Sequence, residues 1–88
     1  MAAYQVRLLP RARKLLQDVR REDRQRIADH INALACDPRP HGVTKLQGAT
    51  NQYRIRVGDY RVLYEIRDEV LLVLVVAIGP RERVYRRR

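Results

Sequence analysis

Apolar residues in the first half of the chain recur at the spacing of an α-helix. Before them, Ala3 to Leu9 alternates loosely between apolar and polar residues, which predicts a short first strand that ends at Pro10. Two amphipathic helices follow, because two stripes of apolar residues fall three and four positions apart. The first stripe is Ala12, Leu15, Leu16 and Val19, and the second is Ile27, Ala28, Ile31, Leu34 and Ala35. The loop at 37–42, rich in Pro and Gly, ends the resulting helical hairpin.

The second half of the chain changes to the two-residue period of β-strands. Residues 53–57 and 60–67 alternate around Gly58-Asp59, which indicates a hairpin with a type II′ turn. Asp68-Glu69 predicts another turn, and Val70 to Ile78 is apolar on both faces, as a central strand is. The prediction is one α+β domain over residues 1–88, with element order βααβββ. In it, an antiparallel sheet packs against the two-helix hairpin.

The predicted hairpin register gathers arginines on one face of the sheet. If Gly58 and Asp59 form the loop, Arg56 lies opposite Arg61, and Arg54 shares their face. Like charges directly opposite each other in a sheet are destabilising by some tenths to about 1 kcal/mol, so the pair does not serve the fold. A bound anion would relieve the repulsion. The other possibility is an ordinary solvated polar face.

Composition extends this expectation to the whole molecule. The chain has 19 Lys and Arg against 10 Asp and Glu, a formal charge of +9, which favours a nucleic acid or an acidic protein as partner. No apolar run approaches the roughly 18 residues of a membrane span, and the N-terminus lacks a signal-peptide pattern, so a cytoplasmic location is expected. The single cysteine, Cys36, excludes an internal disulfide and a cysteine-based zinc site.

Two further groups of residues could bear on chemistry. The segment 78–88 interleaves cations with an aromatic ring, so Tyr85 could stack on an RNA base while Arg81 or Arg83 contacts phosphate. A basic tail with a tyrosine anchored at a sheet edge is the alternative. The histidines His30 and His41 fall in the second helix and in the loop after it, and neither is expected on the arginine face.

Motifs in the second half of the chain resemble the RelE/ParE toxin superfamily of bacterial and archaeal toxin–antitoxin modules. They are KLQG at 45–48, YRIRVGDYRVLYEI at 53–66, IGPR at 78–81 and VY at 84–85. The resemblance implies the compact RelE-like microbial RNase fold. In the RelE branch it also implies an endoribonuclease that cuts messenger RNA in the ribosomal A site. There the 2′-hydroxyl attacks the adjacent phosphodiester and leaves a cyclic phosphate, with no metal and no cofactor.

The resemblance also implies roles for individual residues. Three arginines match the family's basic residues, which hold the scissile phosphate and stabilise the negative charge that grows on it. They are Arg54, Arg56 and Arg61. Arg81 matches the residue that acts at the leaving 5′-oxygen, and Tyr85 matches the aromatic residue that orients the substrate. Three further cations are expected to bind substrate: Lys45, Arg83 and Arg86. The implied partner is an acidic or amphipathic antitoxin that folds on binding and forms a hetero-oligomer with the toxin.

This sequence departs from the family pattern in ways that keep other functions open. Relatives often have Lys where Arg54 and Arg56 stand, and a guanidinium keeps its proton above about pH 12, so neither arginine is a general base. Pro80 also occupies a position where many relatives have His. The alternatives are a ParE-like inhibitor of DNA gyrase, which acts through protein contacts, and a basic RNA-binding module without catalysis.

Overall fold

Two helices cover one face of a five-stranded mixed sheet in the computed structural model, which describes residues 3–48 and 50–80. The strands lie in the order β1-β5-β4-β3-β2. The elements are β1 (Gln5–Leu8), α1 (Pro10–Gln17), α2 (Arg21–Ala33), β2 (Thr44–Lys45), β3 (Gln52–Val57), β4 (Tyr60–Arg67) and β5 (Leu72–Pro80). A 3₁₀ turn at Asp68–Val70 precedes β5. Within the described ranges, we find no helix with the length and apolar character needed to cross a bilayer.

The two helices form where the apolar stripes and end signals predict them. Pro10 occupies the first turn of α1, where its missing N–H costs no hydrogen bond. Glu22 and Asp23 lie in the first turn of α2, where their negative charges interact favourably with the positive end of the helix dipole. Ile27 and Ile31 are buried on the inner face of α2. The predicted helical hairpin is therefore confirmed.

The β3–β4 hairpin has the predicted register. Val57 pairs with Tyr60, and Arg56 pairs with Arg61. Gly58 has a φ of 61°, the positive value that the first loop position of a type II′ turn requires. Apolar residues of both strands face the helices and form the centre of the core. These are Tyr53, Ile55, Val57, Val62, Tyr64 and Ile66.

The sheet differs in three details from the antiparallel one that the sequence predicts. β1 pairs with β5 in parallel, with Val6 beside Val73, which places β5 between β1 and β4 as a central strand. β2 is an additional strand of two residues, too short for any alternation to reveal it. β5 also begins at Leu72 rather than Val70, because the 3₁₀ turn continues to Val70 and Leu71 adopts a φ of 52°.

A buried tyrosine ties the sheet to the loop after α2. Tyr64 is fully buried, and its hydroxyl donates a hydrogen bond of 2.7 Å to the carbonyl oxygen of Pro38. Burial raises the pKa of the Tyr64 phenol, so the hydroxyl stays a neutral donor. The ring stacks on Tyr53 with the two centroids 6.0 Å apart. The hydrogen bond to Pro38 fixes the middle of the segment that runs from α2 to β2.

Removing that hydroxyl is expected to destabilise the protein. Tyr64→Phe should lower the free energy of unfolding by about 1–3 kcal/mol, because the buried Pro38 carbonyl loses its donor. Urea unfolding measures the difference. Tyr60→Phe is the matched control, since within the described ranges no hydrogen bond is recorded for the hydroxyl of the half-buried Tyr60. It should change stability by less than about 0.5 kcal/mol. Equal stability of Tyr64→Phe and the parent would contradict the expectation.

Candidate functional site

Three arginines of the β3–β4 hairpin lie on the sheet face opposite the core. Arg56 is exposed, Arg54 is half-buried, and Arg61 is buried, at 7% exposure. The sequence predicts all three on the outside. Arg61 lies deeper because β4 is an interior strand flanked by both β3 and β5, and its neighbour across from β5 is Gly79.

The three arginines line a cleft of about 600 Å³ at the edge of the sheet. β2 pairs with β3 only at Tyr53 and Arg54, so Ile55 and Arg56 line the cleft without a β2 partner. The end of α2 and the segment after it form the opposite wall. The described lining residues are His30, Ala33, Leu34, Asp37, Pro40, His41, Gly42, Thr44, Arg54, Ile55, Arg56 and Arg61. The volume falls within the range of about 300–1,000 Å³ typical of ligand sites.

The charges in the cleft favour an anion. Among its described lining residues, three arginines face a single carboxylate, that of Asp37. A guanidinium offers several N–H donors in a planar fork, which matches the oxygens of a phosphate group. Strong positive potential in a concave site also raises the local concentration of anionic ligands. The cleft is therefore suited to a phosphodiester.

Both histidines line this cleft, contrary to the expectation from sequence. Nothing in the sequence pattern indicates that α2 and the loop after it lie beside the arginine face. In the structure, His30 comes from the end of α2 and His41 from the loop, and both line the same cleft as Arg54 and Arg56. The Nδ1 atom of His30 lies 2.9 Å from the carbonyl oxygen of Arg26, one turn earlier in the helix.

The other predicted site residues are not among the described lining of the cleft. Lys45 is exposed in β2 and pairs with Tyr53, so the register places it on the sheet face opposite Arg54. It is not among the described residues that line the cleft. Four more fall in the segment 81–88, beyond the described residues: Arg81, Arg83, Tyr85 and Arg86. The roles assigned to all five stay predictions.

An ion-pair network anchors the loop that forms the cleft wall. Arg39, in this loop, binds both carboxylate oxygens of Asp68, at 3.3 and 2.8 Å, and lies over the Tyr53 ring. The hydroxyl of Tyr4 donates to the same carboxylate. Both hydrogen bonds lower the pKa of Asp68, and the one from Arg39 has the larger effect. The network therefore links the residue before β1, the loop and the turn before β5.

The Asp68 interactions predict a pH dependence of stability. Because the pKa of Asp68 is lower in the folded state, its ionised form stabilises the fold above the unfolded-state value of about 4. This contribution should disappear as the pH falls through that value and then through the lower folded pKa. In urea unfolding between about pH 2 and 6, Asp68→Asn should show a smaller loss of stability on acidification than the parent. Asp59→Asn, at the exposed hairpin turn, should retain the parent slope.

Comparison with known proteins gives consistent matches along nearly the whole chain. The family model described as the ParE toxin of type II toxin–antitoxin systems, parDE, matches residues 6–85. A RelE-like toxin protein of Escherichia coli is 35% identical over 83 residues, which cover 91% of this chain and 85% of that protein. The mRNA interferase toxin RelE of Escherichia coli K12 is 30% identical over 82 residues, covering 91% and 81% respectively.

A solved structure shows the same architecture. A chain from the crystal structure of the archaeal RelE–RelB complex of Pyrococcus horikoshii superposes with a TM-score of 0.80 at 29% identity. The superposition covers 91% of this chain and 97% of that one. The α+β fold class predicted from the sequence is thereby confirmed.

Proposed function

Because this chain belongs to the ParE toxin family of type II toxin–antitoxin systems, we propose that it is a RelE-type toxin that cleaves messenger RNA. The observation that carries the proposal is the convergence of Arg54, Arg56 and Arg61 in one cleft. The relative named mRNA interferase toxin RelE, 30% identical, supports the same reaction class. The substrate is messenger RNA in the ribosomal A site.

The three arginines perform the electrostatic part of this reaction. The 2′-hydroxyl of the RNA attacks the adjacent phosphorus, and negative charge grows on the phosphate oxygens as the new bond forms. Guanidinium groups fixed in the cleft stabilise that charge more strongly in the transition state than in the ground state. The products are a 2′,3′-cyclic phosphate and a 5′-hydroxyl. The chemistry as proposed needs no metal ion.

A second candidate, which the resemblance to the ParE branch implies, is an inhibitor of DNA gyrase that acts through protein contacts. Such a function gives no reason to place Arg56 directly opposite Arg61 in a cleft. A basic RNA-binding module without catalysis is the third candidate. The arginine cleft favours cleavage over gyrase inhibition, and mapping of RNA ends together with detection of gyrase-linked DNA breaks separates all three.

The proposed partner is a cognate antitoxin. The structural relative from Pyrococcus horikoshii was solved as a RelE–RelB complex. With a formal charge of +9, this chain suits an acidic or amphipathic segment that folds as it binds. Such a segment can cover a small, strongly charged domain efficiently.

Brief induction of the protein in a bacterial host tests the function. We expect growth arrest, messenger RNA ends that map in frame within codons, and recovery of growth on co-expression of the adjacent reading frame. Arg67→Gln is a control that lowers the net charge of the protein by one. It should act like the parent protein, because Arg67 lies on β4 outside the described cleft lining and pairs with Glu65. Gyrase-linked DNA breaks with intact RNA would support the second candidate. Intact RNA and intact DNA would contradict both toxin mechanisms.

A further inference from the structure

The proposed reaction lacks a general base among the arginines of the cleft. Attack by the 2′-hydroxyl requires that its proton be accepted, and a guanidinium keeps its own proton throughout the physiological pH range. The described cleft lining contains three other titratable side chains. They are His30, Asp37 and His41.

A contact within its own helix orients the ring of His30. This residue lies in α2 next to Ile31, which is 2% exposed, so packing of the helix against the core fixes its backbone. Its Nδ1 lies 2.9 Å from the Arg26 carbonyl oxygen. A carbonyl oxygen can only accept, so Nδ1 carries the proton, and in the neutral ring Nε2 has the free lone pair. A nucleophile–base pair in which a third group orients the base is a recurring catalytic arrangement.

The other two candidates are less suited to the task. Asp37 accepts a hydrogen bond from the Arg39 backbone N–H at 3.2 Å, and a carboxylate is a weaker base than imidazole near neutral pH. His41 lies in a turn, and over residues 3–48 and 50–80 the structure records no hydrogen bond that orients its ring. Of the three side chains, His30 alone combines a basic ring nitrogen with a recorded orienting contact.

We propose that His30 is the general base of the cleavage reaction, an assignment that rests on the proposed function. The proton of the attacking 2′-hydroxyl passes to Nε2 of His30, and the electron pair of the broken O–H bond forms the new O2′–P bond. The P–O5′ bond breaks, and the 5′-oxygen takes a proton from water. The proton on His30 then neutralises the resulting hydroxide, which regenerates the neutral ring.

The assignment makes cleavage depend on pH in a specific direction. The rate at saturating ribosome should rise with pH within the physiological range and then level off, because only a deprotonated base can accept the proton of the 2′-hydroxyl. Among the described residues, the ionisable groups that share the cleft lining with His30 are Asp37, His41 and the three arginines, and Arg26 and Asp29 flank it in its own helix. Arginine does not titrate in this range, so an added or lost limb of the profile belongs to a histidine or a carboxylate.

Single-turnover cleavage of ribosome-bound messenger tests the assignment. His30→Ala should cut about 10²-fold more slowly than the parent, lose the rise with pH, and recover part of the rate when free imidazole is added. Asn32→Gln, on the same helix outside the described cleft lining, should match the parent. His41→Gln should keep the rise with pH. Thermal unfolding of each variant shows whether the fold is retained.

The outcomes separate this proposal from the proposed function. If the parent protein makes no cut, the proposed function fails and the assignment fails with it. If the parent cuts and His30→Ala keeps the parent pH profile, or is slow without rescue by imidazole, the base assignment alone is wrong. Loss of the pH-dependent rise in His41→Gln would transfer the role to His41.

Discussion

Arg56→Gln should slow cleavage of ribosome-bound messenger by about 10²–10³-fold, the loss typical of one donor to a transition-state anion. The same substitution should leave the protein at least as stable as the parent. Arg56 lies directly opposite Arg61 in the antiparallel pair, so removing one charge relieves repulsion of some tenths to about 1 kcal/mol. A change that lowers activity and raises stability is the sign of a residue retained for function.

Arg67→Gln provides the matched control for this prediction. It removes the same charge from the same hairpin, but Arg67 lies outside the described cleft lining and forms an ion pair of 3.1 Å with Glu65. Its cleavage rate on bound substrate should stay close to that of the parent. Single-turnover cleavage and urea unfolding, measured on both variants, give the two quantities. A slow and strongly destabilised Arg56→Gln would show that Arg56 supports the fold instead of the reaction.

The β3–β4 hairpin was predictable because local signals determine it. The alternation of Tyr53, Ile55 and Val57 with arginines requires one face to be buried, and a slip of one residue would bring guanidinium groups into the core. Gly58 then fixes the turn, because its positive φ strains any residue with a Cβ atom. Sequence therefore predicted the placement of Arg54, Arg56 and Arg61 on one face.

The histidines were missed because their position depends on contacts distant in sequence. His30 reaches the cleft only because α2 ends beside the uncovered edge of β3, 25 residues further along at Ile55. No periodicity in α2 encodes that edge. The parallel pairing of β1 with β5 could not be predicted from the sequence for the same reason. Alternation of apolar and polar residues shows that a strand exists, but it does not show which strand lies beside it or in which direction.

Arg81 and the terminal arginines should fail in different ways when replaced. Arg81 is proposed to stabilise charge that develops on the leaving 5′-oxygen, so Arg81→Ala should slow cleavage by about 10²–10³-fold and change ribosome affinity little. Arg86, Arg87 and Arg88 are proposed to supply screened attraction to RNA phosphates that does not depend on base sequence. Replacing all three with Gln should weaken association and reduce its dependence on salt.

Saturation with ribosomes separates these two kinds of loss. At saturating ribosome, every toxin molecule is bound, so a variant that is impaired only in association cuts as fast as the parent. The triple replacement should therefore regain the parent rate under these conditions, whereas Arg81→Ala should stay slow. If Arg81→Ala reaches the parent rate at saturation, Arg81 binds RNA and takes no part in the chemical step. If the triple replacement stays slow there, one of the terminal arginines acts on the reacting phosphate, and the cleft arginines are not sufficient for the chemistry.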